Sequence, residues 1–178
     1  IMAEERAAWT TRDDFAQRIE QLMGSGSVSP PYYRGDWVFY TRREPGQQFP
    51  VLYVRHGDGE PRVLFDPIAE DPNGLTTLDA WQPSKEGDRI ALQCSVGGTE
   101  ESLLTVKDTA TGAVLDADID RCRYSPVAWL PGGTHYYYVR RIAPELLPES
   151  EQQFHRRVYL HEVGTDPATD ILVFGAGM

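Results

Sequence analysis

The sequence predicts an all-β fold, a partial β-propeller of about three four-stranded antiparallel blades preceded by one short helix. A loose internal repeat predicts it, together with the aromatic and β-branched residues that fill its strand-like runs and the turn residues between them. Gly35-Asp36, Gly87-Asp88 and Gly132-Gly133 each open such a run, about fifty positions apart. In the first copy residues 37–40 are followed by 51–54 and 63–66. The second has 89–92, then 103–106 and 113–116, which lie 52 and 50 residues after their counterparts. The third is stretched, with a long polar insertion between 136–139 and 158–161 before 171–174 closes it. Insertions of that kind belong in loops.

The chain opens on its only helical pattern. Thr10 or Thr11 is placed to cap it, Asp13 and Asp14 suit its positive N-terminal end, and Phe15, Ile19 and Leu22 recur on one face. Gly24 ends it, and a Ser/Gly stretch runs into Pro30-Pro31, so residues 1–27 read as helix and linker and 28–178 as the partial propeller. Turn residues at Glu44-Pro45-Gly46, Gly57-Asp58-Gly59, Gly97-Gly98 and Thr111-Gly112 punctuate that region and favour antiparallel hairpins over 28–75, 76–125 and 126–178. A four-stranded blade is drawn over 76–116, with 78–81 innermost; a β-sandwich is the competing architecture. Propellers close with about four to eight blades, so three leave open faces and edges. Either the rest of the ring lies elsewhere, or copies of the chain complete one another by self-association.

A formal net charge of −10 and a pI near 4.8 argue against nucleic acid or an anionic membrane as partner. Cys94 and Cys122 have no metal spacing and read as small hydrophobes, which suits a reducing cytoplasm. No metal or cofactor motif is present, and no apolar run has the length of a membrane span. Catalytic candidates are equally few. The string at 24–28 breaks the Gly-x-Ser-x-Gly pattern. His56, His135, His155 and His161 lack ligand spacing and read as strand or surface residues. Asp66, Asp116, Asp118 and Asp120 fall where Asp bonds turn backbone, and the pairs Arg42-Arg43, Arg140-Arg141 and Arg156-Arg157 read as local ion pairing.

From Val28 to Phe174 the chain resembles the N-terminal β-propeller of prolyl oligopeptidase-type serine peptidases. The resembling stretches run in order: 50–54, 59–67, Leu78-Asp79-Ala80-Trp81 through Ser84, Arg123-Tyr124-Ser125 with Ala128-Trp129, 158–161, Gly164-Thr165 and 170–173. The N-terminal helix resembles the segment before the family's first blade. The resemblance implies a seven-bladed propeller capping an α/β-hydrolase domain that cleaves short peptides after proline, the propeller restricting entry. These residues would supply about three blades and no catalytic residue, so the missing hydrolase domain and remaining blades are the implied partners, with short proline-containing peptides as substrates. It also implies one substrate-binding residue. In the family, the aromatic of a Lys-Phe-Ser string reaches the active site and packs on a substrate side chain upstream of proline; Arg123-Tyr124-Ser125 puts Tyr124 there. Two alternatives remain: a stand-alone half-propeller acting as a non-enzymatic binding or oligomerising module, and a kelch or WD propeller, whose signatures are missing at blade-regular positions.

Overall fold

Runs rich in Val, Ile, Tyr and Phe become strands at every position the repeat gives them except 113–116 in the computed structural model, which describes residues 9–116, 118–175 and 177. Helix α1 (Arg12–Gly24) comes first. The first sheet holds β1 (Ser27–Val28), β2 (Tyr32–Arg34), β3 (Trp37–Arg43), β4 (Val51–His56) and β5 (Arg62–Phe65). After the short α2 (Pro67–Glu70), the second holds β6 (Thr76–Pro83), β7 (Arg89–Val96) and β8 (Leu103–Asp108). The third holds β9 (Ala128–Trp129), β10 (His135–Arg141), β11 (Arg156–Glu162) and β12 (Ile171–Phe174). Every pairing is antiparallel between neighbours, the meander of a propeller blade.

Two blades depart from the four-strand expectation. In the first, β1 and β2 lie end to end along one edge of β3, through Val28↔Arg42 and Tyr32↔Phe39. Pro30 and Pro31 cannot donate to the ladder, so they split one inner strand into two. In the second, the expected outer strand at 113–116 is reduced to isolated bridges, Lys107↔Val114 and Leu104↔Ile119. Between those bridges Asp116 turns its carboxylate toward the third sheet, where it accepts from the Gly164 amide.

Sheet faces pack on one another in sequence order. Strand alternation sends Ile90 and Leu92 of β7 toward Phe39, Leu52 and Val54 of the first sheet, while Ala91 meets Trp129, Tyr136 and Tyr138 of the third. Both faces of β7 are therefore buried, and its apolar run is continuous rather than alternating. Inner strands are also stitched crosswise: Gln82 Nε2 donates to the Tyr32 hydroxyl (3.2 Å), and Trp129 Nε1 donates to the Gln82 carbonyl (2.9 Å).

The repeated glycines have a packing reason. A Cβ on Gly87 would lie 2.7 Å from the Arg34 carbonyl oxygen and 2.7 Å from Trp37 Cδ1, so the second blade's turn meets the first blade's backbone directly. Gly133 continues the pattern, its carbonyl accepting from Arg89 Nη1 at 2.6 Å.

The helix departs from expectation at both its cap and its face. Thr11 is the N-cap residue but makes no capping bond, because its hydroxyl accepts from the Trp9 indole at 2.9 Å. Phe15, Ile19 and Leu22 share a face as predicted yet remain more than half exposed. Arg43 Nη2 ties the helix to the first sheet by donating to the Met23 carbonyl (2.5 Å). At the other end of the chain, Ile171, Val173 and Phe174 of β12 are exposed as well.

Both cysteines are free, Cys122 fully buried and Cys94 half-buried, and burial pushes each thiol up to about 12. Neither is expected to react with a disulfide reagent near pH 8 until the protein is unfolded; rapid labelling of native protein would contradict this.

Candidate functional site

Tyr124 stands on a turn whose flanks are buried. On one side Cys122 donates its amide to the Ser102 carbonyl (3.1 Å). On the other, Ser125 accepts twice: its hydroxyl oxygen from the Val139 amide (2.8 Å) and its carbonyl from Gln93 Nε2 (2.7 Å). These anchors push the intervening side chain outward, leaving Tyr124 66% exposed with φ at +53°. A left-handed backbone at a bulky non-glycine residue is strained and persists only where its surroundings fix it.

Glu100, on the β7–β8 connection, supplies the fixing contact and is itself left-handed (φ +59°). The Tyr124 hydroxyl and Arg123 Nη2 both donate to its Oε2 at 2.5 Å. Those two bonds, the tyrosine's first, hold the Glu100 carboxyl below its ordinary pKa, while the Arg123 guanidinium sits 5.2 Å from the Tyr124 ring centroid. Beside the ring opens a cavity of about 210 Å³, lined by Asp79, Ala80, Gln93, Glu100, Ser102 and Tyr124. The resulting site is a propped aromatic over a small, carboxylate-rich hollow.

Other sequence candidates fall into place around this site. Arg141 is buried against Glu101 and Gln153, Arg140 and Arg121 pair with Asp120, and Arg42 pairs with Glu44 at 2.7 Å, so local ion pairing holds for those members, whereas Arg43 and Arg156 donate to backbone carbonyls instead. Asp66 caps α2 by accepting from the Ile68 amide. Asp118 accepts instead from the Thr105 hydroxyl.

His161 and Asp116 are not the ordinary strand and turn residues expected. The His161 ring is fully buried, with Nδ1 2.6 Å from Asp170 Oδ1 and Nε2 3.3 Å from Asp116 Oδ2, and both carboxylates are themselves buried. Tyr136 donates to Asp116 (3.3 Å) and Tyr138 to Asp170 (2.7 Å). Burial opposes the charged ring, but the two carboxylates facing its nitrogens outweigh it and hold the His161 pKa above its ordinary value. The carboxylates flank opposite ring nitrogens, so they do not converge on one point. Among the described residues no cluster has metal-holding geometry, and no helix is long and apolar enough to cross a membrane.

Known proteins share this fold. The family described as "Prolyl oligopeptidase, N-terminal beta-propeller domain" matches residues 2–177. A prolyl endopeptidase of Elizabethkingia meningoseptica is 26% identical over 92% of the chain, and one of Elizabethkingia miricola is 25% identical over 97%. The chain spans only 23% and 27% of those two proteins. Among solved structures, one from a study of two prolyl endopeptidases and their inter-domain dynamics superposes with a TM-score of 0.82 at 27% identity, covering 96% of this chain and 25% of that one. Prolyl oligopeptidase B of Galerina marginata shares the fold, with a TM-score of 0.74 at 20% identity over 94% of this chain and 26% of that one. Three stacked meander blades and a family match over nearly the whole chain agree: it belongs to the prolyl oligopeptidase family, as part of the N-terminal β-propeller domain.

Proposed function

We propose that the chain is the non-catalytic, entry-restricting part of a proline-specific serine endopeptidase, and that Tyr124 contacts a substrate side chain upstream of the proline. The observation that carries this reading is the match to prolyl endopeptidases over nearly all of the chain but only about a quarter of their length. The remaining blades and a hydrolase domain supply the serine, aspartate and histidine. A following blade covers Ile171, Val173 and Phe174, which otherwise present apolar surface to water. Two free thiols, one buried and one half-buried, suit a reducing cytoplasm.

The reading frame beyond Met178 is expected to encode further blades and a Gly-x-Ser-x-Gly elbow; a stop codon there would leave a stand-alone, self-associating module instead. For the whole product, Tyr124→Ala is expected to raise KM about fivefold to tenfold for peptides bulky upstream of proline, and much less for minimal proline substrates. Equal effects on both would remove Tyr124 from the substrate site.

A further inference from the structure

An aromatic ring as exposed as Tyr124 has little packing to fix its torsions, so what orients it is the bond at its tip. The hydroxyl donates to Glu100 Oε2, the same oxygen that accepts from Arg123 Nη2. Exposed polar pairs contribute little to folding. Here, however, only the rotamer freedom of one ring has to be offset.

Both ends of that bond are set by other contacts. The Glu100 carbonyl accepts from the Ser102 amide (3.0 Å), and the carbonyl of Ser102, itself 2% exposed, accepts from the Cys122 amide (3.1 Å). The loop bearing Glu100 and the turn bearing Tyr124 therefore form one frame. Arg123 is held from the third blade: its Nη1 donates to Gln153 Oε1 (3.4 Å), and its carbonyl accepts from Arg156 Nη1. The hydroxyl has a further consequence. A phenol carries a single O–H donor. Because Glu100 takes it, what the ring offers a ligand is its apolar surface.

We propose that Glu100 is a specificity-determining positioning residue, which sets the orientation of the Tyr124 ring and withholds its O–H from the peptide, so that the upstream subsite selects apolar bulk. The inference rests on Tyr124 being a substrate contact. Glu100 acts through that ring, by giving it the bound orientation before the peptide arrives.

The test uses the whole product of the reading frame and three fluorogenic peptides, X-Ala-Pro, in which X is Gly, Leu or the nearly isosteric Asn. The intact protein is expected to prefer Leu to both. Glu100 is half-exposed, so its replacement should leave the fold in place. Glu100→Ala is expected to raise KM for the Leu peptide about threefold with little change in kcat, and to bring the Leu-to-Asn ratio of kcat/KM toward one, because the freed hydroxyl now serves Asn. Glu100→Gln keeps an acceptor oxygen and should retain most of the preference. Tyr124→Phe removes the tip bond from the other side, and in that background Glu100→Ala should change nothing further. Additive losses in the double variant, or a Leu-to-Asn ratio untouched by Glu100→Ala, would overturn the proposal. Tyr124→Ala separates it from the substrate-contact reading. Loss of the Leu preference in Tyr124→Ala but not in Glu100→Ala overturns the proposal alone; no loss in Tyr124→Ala overturns both. Calorimetric affinities for the same peptides give the same ratios, so binding with these preferences but without cleavage supports the role of Glu100 and counts against the peptidase.

Discussion

Replacing His161 with leucine is expected to cost the protein about 3–5 kcal/mol of folding stability, the range for leaving buried charge without its partner. The ring lies between two carboxylates that are 1% and 2% exposed, and neither has another cation recorded near it among the described residues. These contacts join three separate stretches: Asp116 from the second blade's trailing segment, His161 from β11, and Asp170 from the turn before β12. His161→Gln, which keeps a donor but not the charge, is expected to lose less. Trp129 packs 4.9 Å from Tyr136, whose ring lies 5.1 Å from His161, so one of the four tryptophans followed by fluorescence in urea lies beside the site. The pH dependence has a definite sign. Because the folded pKa lies above the ordinary 6.5, this stabilisation is complete below that pH and is lost as pH rises through the folded value. The leucine variant should lack that alkaline decline; a loss below about 1 kcal/mol with an unchanged pH profile would mean that the buried cluster contributes no net charge stabilisation.

Gly87→Ala is expected to be nearly as costly. The left-handed backbone alone penalises an alanine by about 1–2 kcal/mol, and the contact with the neighbouring blade adds overpacking of about 1–3 kcal/mol. At Gly87 (φ +82°) the new Cβ meets backbone oxygen and an indole edge that cannot withdraw without parting the first two blades. Gly112 (φ +77°) is the internal control, because a Cβ there meets nothing within 4 Å and only the backbone term applies. Comparing the two variants by urea midpoint isolates the blade-to-blade contact. Equal losses would show that the repeated glycine is needed for its turn alone.

What the sequence made legible was local. Glycine turns and β-rich runs recur at a fixed offset, and a strand's identity depends mostly on its own residues, so the sequence alone carries the three-blade pattern. Where tertiary demands override local preference, local sequence and structure part. Residues 113–116 have strand character, but Asp116 is drawn toward the third sheet, and the ladder shrinks to bridges. Phe15, Ile19 and Leu22 have helical spacing, which says nothing about whether a partner surface lies within reach. The His161 cluster was invisible because it joins positions 116, 161 and 170 through the fold, with no spacing signature. Tyr124 was singled out only by family resemblance. Its left-handed backbone and its brace on Glu100 follow from turn geometry that an arginine-tyrosine-serine string does not encode.

The most direct test of the account is steady-state cleavage by the complete product of the reading frame, with paired fluorogenic peptides ending in Gly-Pro and Gly-Ala. The account predicts hydrolysis after proline, strong preference for it over alanine, inactivation by a serine-directed organophosphate, and no hydrolysis by residues 1–178 alone. Absence of proline-directed cleavage by the intact, folded protein would contradict it.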